Sequence, residues 1–164
     1  GFPLFSAQHS NIGTAGAPTT ATFDEARTLM ATQKDPDSYA DGGLNIRAAY
    51  VLAPVALEGA ISVVLNSERE VTASNRNNTT PNSVRSMATL ITDARLDADS
   101  TTAYYFAANP STYDGIEVSY LDGNSSPMLE QQRGWNVDGT EFKVRIDAGV
   151  KALDFRTFVK NAGA

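Results

Sequence analysis

From Glu141 to Asp147 apolar and charged residues alternate strictly: Phe142, Val144 and Ile146 fall on one side, Glu141, Lys143, Arg145 and Asp147 on the other. A period of two predicts a half-buried strand. Just before it, Asp138-Gly139 supplies the positive backbone dihedrals of a tight hairpin turn, with Trp135 and Val137 on the incoming side. Elsewhere the period is helical. Thr22 and Glu25 have capping-box spacing, and Phe23, Ala26, Leu29 or Met30, and Gln33 recur on one stripe, which predicts a helix over 23–34 ended by Asp35-Pro36-Asp37.

Ala48–Ala53 is continuously apolar and reads as a short buried strand. Pro54 suits a first helical position, and Leu57, Ile61 and Val64 or Leu65 give an apolar face to a helix ending near Asn66. Beyond Met87 the chain reads as mostly strand: 88–96, 103–108 and 116–121, with Asp122-Gly123 as a turn and 124–134 as a polar connection. Residues 1–21 open with Phe2, Leu4 and Phe5, then turn small and polar, as in an extended arm or loop. The 67–86 stretch is dominated by Asn75, Asn77, Asn78, Thr79, Thr80, Pro81 and Asn82 and reads as a long polar loop. The expected fold class is therefore α+β, a mixed sheet with two flanking helices, over 22–164.

Composition narrows the function. At 164 residues the chain suits one ordinary domain, and it has no cysteine, which excludes disulfides, thiolate metal sites and cysteine nucleophiles. A formal charge of −6 and a pI near 4.7 argue against a surface that coats phosphates. No apolar run is long enough to span a membrane, and no basic-then-apolar leader precedes the domain. Gly1 in place of Met fits a processed product or an excised piece.

Candidate chemistry is sparse. Asp35, Asp37 and Asp41 invite a calcium loop, but Tyr39 and Ala40 stand where a ligand and a glycine are needed, so a solvated turn is the better reading. Asp93, Asp97 and Asp99 form a second acidic cluster, also read as solvated. The one histidine, His9, lies in the arm, and no Gly-x-Ser-x-Gly elbow accompanies it. Phosphate-loop and dinucleotide fingerprints are missing. Asn77 and Asn78 each match the glycosylation acceptor pattern, which an Asn/Thr-rich loop produces by chance. Tyr104, Tyr105 and Phe106, without flanking basic residues, read as strand core rather than as a stacking platform for bases. The residues thus point to a structural or binding role, with no catalytic, cofactor or metal residue to assign.

Several stretches, in order, resemble the major capsid proteins of tailed phages, in the Mu-like major head subunit branch. They are Leu4-Phe-Ser-Ala-Gln-His-Ser-Asn11, Lys34-Asp-Pro-Asp37, Leu44-Asn-Ile-Arg47, Tyr50-Val-Leu-Ala-Pro54, Thr102–Pro110, Glu117–Gly123, Val137–Arg145 and Phe158–Ala164. Ser38–Asp41 resembles a small insertion. The resemblance implies the axial domain and part of the peripheral domain of the HK-ninety-seven-type capsid fold, as the C-terminal part of a subunit whose arm and spine helix lie elsewhere. It implies a non-enzymatic shell protein that forms hexamers and pentamers around packaged DNA. No cofactor is implied. Its partners would be copies of itself, with a scaffold or head-maturation protease in addition, and no sequence-specific nucleic acid or membrane. It would act in the virion after assembly in the bacterial cytoplasm. Candidate subunit contacts are Asn77, Asn78 and Arg85 in the polar loop, with Lys143 and Arg145 on the charged strand face. The helix after Thr22 and the 124–134 connection come second. Glu141–Asp147 would belong to a long C-terminal hairpin linking the two domains. Two other classes stay open: an encapsulin-like nanocompartment shell, and a hydrolase built on an acidic pair.

Overall fold

In the computed structural model the chain forms two units, Gly1–Gly115 with Asp154–Ala164, and Ile116–Leu153. Residues 1–35, 42–70, 80–135 and 138–164 are described.

The first unit is built on a four-stranded sheet of β1 (Ala48–Ala53), β2 (Thr89–Thr92), β3 (Tyr104–Ala108) and β8 (Phe158–Asn161), in the order β2-β1-β3-β8. The β1–β2 pair is parallel and the other two are antiparallel, so the sheet is mixed. Helices α1 (Thr20–Ala31) and α2 (Glu58–Asn66) supply Phe23, Ala26 and Met30, and Ile61, Val64 and Leu65, to one core with Val51, Ala53, Tyr104, Phe106 and Val159. Those strand positions share one face, as the pleat requires. Phe23 packs edge-on to Phe106 at 5.0 Å and stacks with Tyr104 at 5.9 Å, which fixes how α1 sits on the sheet. The α+β class with a mixed sheet is therefore as the sequence predicts, and so is the reading of Tyr104 and Phe106 as core.

Local boundaries differ for identifiable reasons. The first helix starts at Thr20 and ends at Ala31, not 23–34, because the capping box is Thr19 with Thr22. The Thr19 hydroxyl accepts the Thr22 amide at 3.2 Å, and the Thr22 hydroxyl accepts the Thr19 amide at 3.0 Å. Glu25 instead accepts the Thr14 hydroxyl at 2.7 Å, tying the N-terminal segment to α1. At the other end the returning chain stops the helix: Asn45 donates to Ala31 O at 2.9 Å. A Cβ on Gly43 would meet that same carbonyl at 2.2 Å, so glycine is needed there.

Pro54 is a cap rather than a first helical residue, followed by a 3-10 turn, Val55–Leu57, that leads into α2. The strand expected over 88–96 is split: β2 stops at Thr92, and Asp93 caps α3 (Ala94–Asp99) by accepting the Arg95 amide at 2.9 Å. Residues 1–19 hold one 3-10 turn, Ala7–His9, and are docked on the first unit. Ile12 bridges Lys160 beside β8, and Asn11 is fully buried, its side-chain amide donating to Leu4 O at 2.8 Å and Phe155 O at 3.3 Å. The base of the 67–86 segment is closed by hydrogen bonds from Glu70 N to Thr80 O (3.0 Å) and Asn82 N to Glu68 O (3.2 Å). Asn82 and Val84 are buried there, against the polar-loop reading of those positions.

Candidate assembly surface

The second unit consists of two nested strand pairs. The outer joins β4 (Ile116–Tyr120) to β7 (Ala148–Ala152), and the inner joins β5 (Met128–Arg133) to β6 (Thr140–Arg145), both antiparallel. The polar connection expected over 124–134 is thus largely strand. Its Glu130, Gln131 and Gln132 carry no apolar signal and become strand by pairing with Lys143, Phe142 and Glu141. Between the pairs, Asp122 (φ 54°) and Gly123 (φ 71°) form the turn expected of Asp-Gly, and Leu121 N donates to Asp147 O at 3.2 Å.

From Phe142 in β6 to the end of β7 the even positions are apolar: Phe142, Val144, Ile146 between the strands, Ala148, Val150 and Ala152. The partner strands add to the same faces. Val118 lies opposite Val150, Tyr120 opposite Ala148, and Leu129 opposite Val144. The Arg145–Asp147 ion pair, at 3.2 Å between residues two apart, is what an alternation continuing through Ile146 would place together on the charged side.

The alternation is as predicted, but the half-buried strand is not. Every described residue of Ile116–Leu153 is exposed except Gly134, which is half-buried. Phe142 and Val144 are each 65% exposed, Val150 68%, and Trp135, beside the hairpin turn, 99%. The physical reason is that a two-stranded ribbon has no second layer. Its period selects an apolar face and supplies nothing to cover it. An isolated ribbon of this kind is marginal in water, and a contiguous apolar strip is a feature of interaction surfaces.

The opposite face is polar and internally compensated. Lys143 Nζ is 3.1 Å from Glu130 Oε2, Arg145 pairs with Asp147, and Glu117 stands opposite Lys151. Of the residues the sequence singled out, Lys143 and Arg145 therefore already hold carboxylate partners within their own ribbon. Arg85 belongs to the first unit, at the base of the polar segment, with Nη1 3.6 Å from Glu68 Oε1 and both side chains half exposed or more. Asn77 and Asn78 lie outside the described residues, as do Asp37 and Asp41 of the calcium-loop reading. The apolar ribbon face was missed as a surface, although its signal, the even-numbered alternation, is plain in the sequence.

The acidic cluster has a structural use. Asp97 accepts the amides of Val55 and Ala56 at 2.9 and 3.1 Å, capping the turn into α2, while Asp93 caps α3. His9 stacks on Phe155 at 3.9 Å with its Nδ1 3.1 Å from Leu4 O, which uses the ring as a packing element. Among the described residues, no group of three or more His, Asp or Glu side chains is placed to hold a metal ion.

No curated protein sequence matches the chain. A solved structure, that of a virus-like particle from Pyrococcus furiosus, superposes with 12% sequence identity and a TM-score of 0.44, covering 94% of this chain and 58% of the other. The chain thus spans little more than half the length of that protein. The family model described as phage capsid protein matches residues 1–161, and the chain accordingly belongs to the phage capsid protein family.

Proposed function

We propose that this chain acts as a structural subunit of a phage or prophage head shell. In this reading it has an HK-ninety-seven-type fold of the Mu-like head-subunit branch and assembles as hexamers and pentamers around packaged DNA. The family match over residues 1–161 carries the reading. The ribbon supports it, because a shell subunit must offer surfaces that are completed by neighbours. Its role is structural, its principal partners are copies of itself, and a scaffold or head-maturation protease acts with it during assembly in the bacterial cytoplasm. The mature location is the virion. Expression of the complete subunit followed by negative-stain electron microscopy tests this. Closed particles of uniform size are expected, and a subunit that stays dispersed even with its scaffold would overturn the reading.

A further inference from the structure

We infer that residues 1–16 form a detachable strap, which lifts off as one piece and bares the outer edge of β8 while the rest of the sheet stays folded. The seated and lifted forms are states of this one chain, whatever it assembles into.

The strap is held by hydrogen bonds around one buried amide, with little apolar burial behind them. The hydrophobic core draws no residue from 1–19. Of the strap's side chains only Ser6 and Asn11 are buried, and both are polar, whereas Phe2 is 64% and Ile12 44% exposed. Its apolar contacts are two ring pairs, Phe5 with Tyr105 at 5.5 Å and His9 on Phe155 at 3.9 Å. Asn11 ties the piece together: its Oδ1 accepts the Ser6 amide at 3.1 Å, its Nδ2 donates to Leu4 O and Phe155 O, and its carbonyl accepts the Lys160 amide at 2.9 Å. On one side Gln33 Nε2 donates to His9 O and Ser10 O at 3.1 and 3.0 Å. On the other, the Glu25 carboxylate accepts the Thr14 amide and hydroxyl, and the Asn161 side chain bonds Thr14 O and Gly16 N at 2.7 and 3.2 Å. Partial lifting would leave the Asn11 amide buried without its partners, so the strap is either seated or off. Segments with few buried apolar contacts open at a lower free energy than the core.

What the strap covers is a strand edge, since β8 ends the order β2-β1-β3-β8. Lys160 stands opposite Tyr105 but turns its main-chain groups away from β3. Its amide donates to Asn11 O and its carbonyl accepts the Gly13 amide, each at 2.9 Å, around the parallel bridge between Ile12 and Lys160. By the alternation of an antiparallel ladder, the neighbouring Val159 and Asn161 point theirs at Phe106 and Tyr104. Lifting the strap therefore frees both main-chain groups of Lys160 and takes Phe5 off the Tyr105 ring, yet removes nothing from the ladder that holds β8 on β3. An edge with free main-chain groups is a template for strand addition, and the seated strap is its internal occupant.

Hydrogen exchange on the full chain tests this without mutation. The amides of Gly13, Thr14 and Lys160 report on the strap, and those of β1 and β3 report on the sheet. After correction for intrinsic rates, the strap amides should share one opening equilibrium and exchange faster than the sheet amides by a factor of about ten or more. Lys160 should also exchange faster than Val159 and Asn161 on either side of it, a contrast within one strand. Asn11→Ala should speed the strap amides together by about tenfold while the chain keeps a cooperative thermal transition. Strap amides as protected as those of the sheet would make residues 1–16 part of the core and overturn the inference. Unrelated rates at Gly13, Thr14 and Lys160 would do the same, because the strap would then fray piecemeal. Loss of the cooperative transition in Asn11→Ala would also sink it, since the sheet would then depend on the strap.

Discussion

The carbonyl of Gly115 accepts a hydrogen bond from the amide of Asp154 at 3.5 Å, so the chain leaves the first unit and re-enters it at a single point. The described residues between these two form the ribbon, all exposed but the half-buried Gly134, and none of them belongs to the core. A two-residue Asn-Gly turn in place of Ile116–Leu153 should therefore yield a protein that still unfolds cooperatively. Its midpoint should lie within about 4 °C of the parent, as for a change outside the core. Circular dichroism with thermal scanning reads this directly. Loss of the cooperative transition would show that the ribbon contributes to the fold of the first unit.

Asp97 should matter for stability rather than chemistry. Its carboxylate receives the first two amides of the Val55–Leu57 turn across some forty residues of sequence. Asp97→Ala leaves both amides without that acceptor and should cost about 1 kcal/mol, up to about 2, in urea denaturation. Asp97→Asn retains one acceptor oxygen and should cost less than the alanine variant. Equal losses for the two would show that charge, not the hydrogen bonds, is what counts.

Tyr104 sets an alkaline limit. Its hydroxyl donates to Gly16 O at 3.3 Å, and its pKa is raised above the ordinary tyrosine value by burial, with the Glu25 carboxylate adding to the rise and contact with Thr22 partly opposing it. A pKa raised on folding means that stability is complete below the unfolded-state value, about 10. That stability is lost as pH climbs through the higher folded-state value. Tyr104→Phe should remove this share of the alkaline loss, at the cost of about 1 kcal/mol near neutrality for the missing hydrogen bond. Denaturation curves for parent and variant from pH 7 to 11 should converge at the alkaline end. Parallel curves would remove Tyr104 from the account.

Trp135 reports on the ribbon without labelling. It is the one tryptophan of the chain and is 99% exposed. In the dispersed chain its emission should be as red as that of free tryptophan in water, with little further shift in urea. Collisional quenching by acrylamide should be nearly as efficient as for the free amino acid. Blue emission from the dispersed chain would mean that the indole already has a covering.

Much of the fold was legible because its signals are local. The stripe of Phe23, Ala26 and Met30, the apolar run Ala48–Ala53 and the Asp122-Gly123 turn each depend on a few neighbouring residues and came out as expected. The capping box slipped by three because Thr19 and Thr22 satisfy each other while Glu25 serves Thr14, a choice settled by the docking of the N-terminal segment. Leu90 and Ile91 extended a strand reading into α3, since continuous apolar character does not say where pairing stops. Asp93, Asp97 and Asp99 looked alike as a cluster, and only long-range proximity gave Asp97 its amides.

The candidate surface divides the same way. By itself the sequence determined that Phe142, Val144, Ile146 and Val150 share one side of an extended chain and that Lys143 and Arg145 share the other, because the side-chain period of a strand is two whatever surrounds it. Only the tertiary structure decided that this strand belongs to a bare two-stranded ribbon. There the apolar side meets no second layer, and the charged side is occupied by its own ion pairs. Burial depends on which other elements reach a face, and alternation along one strand carries no information about them.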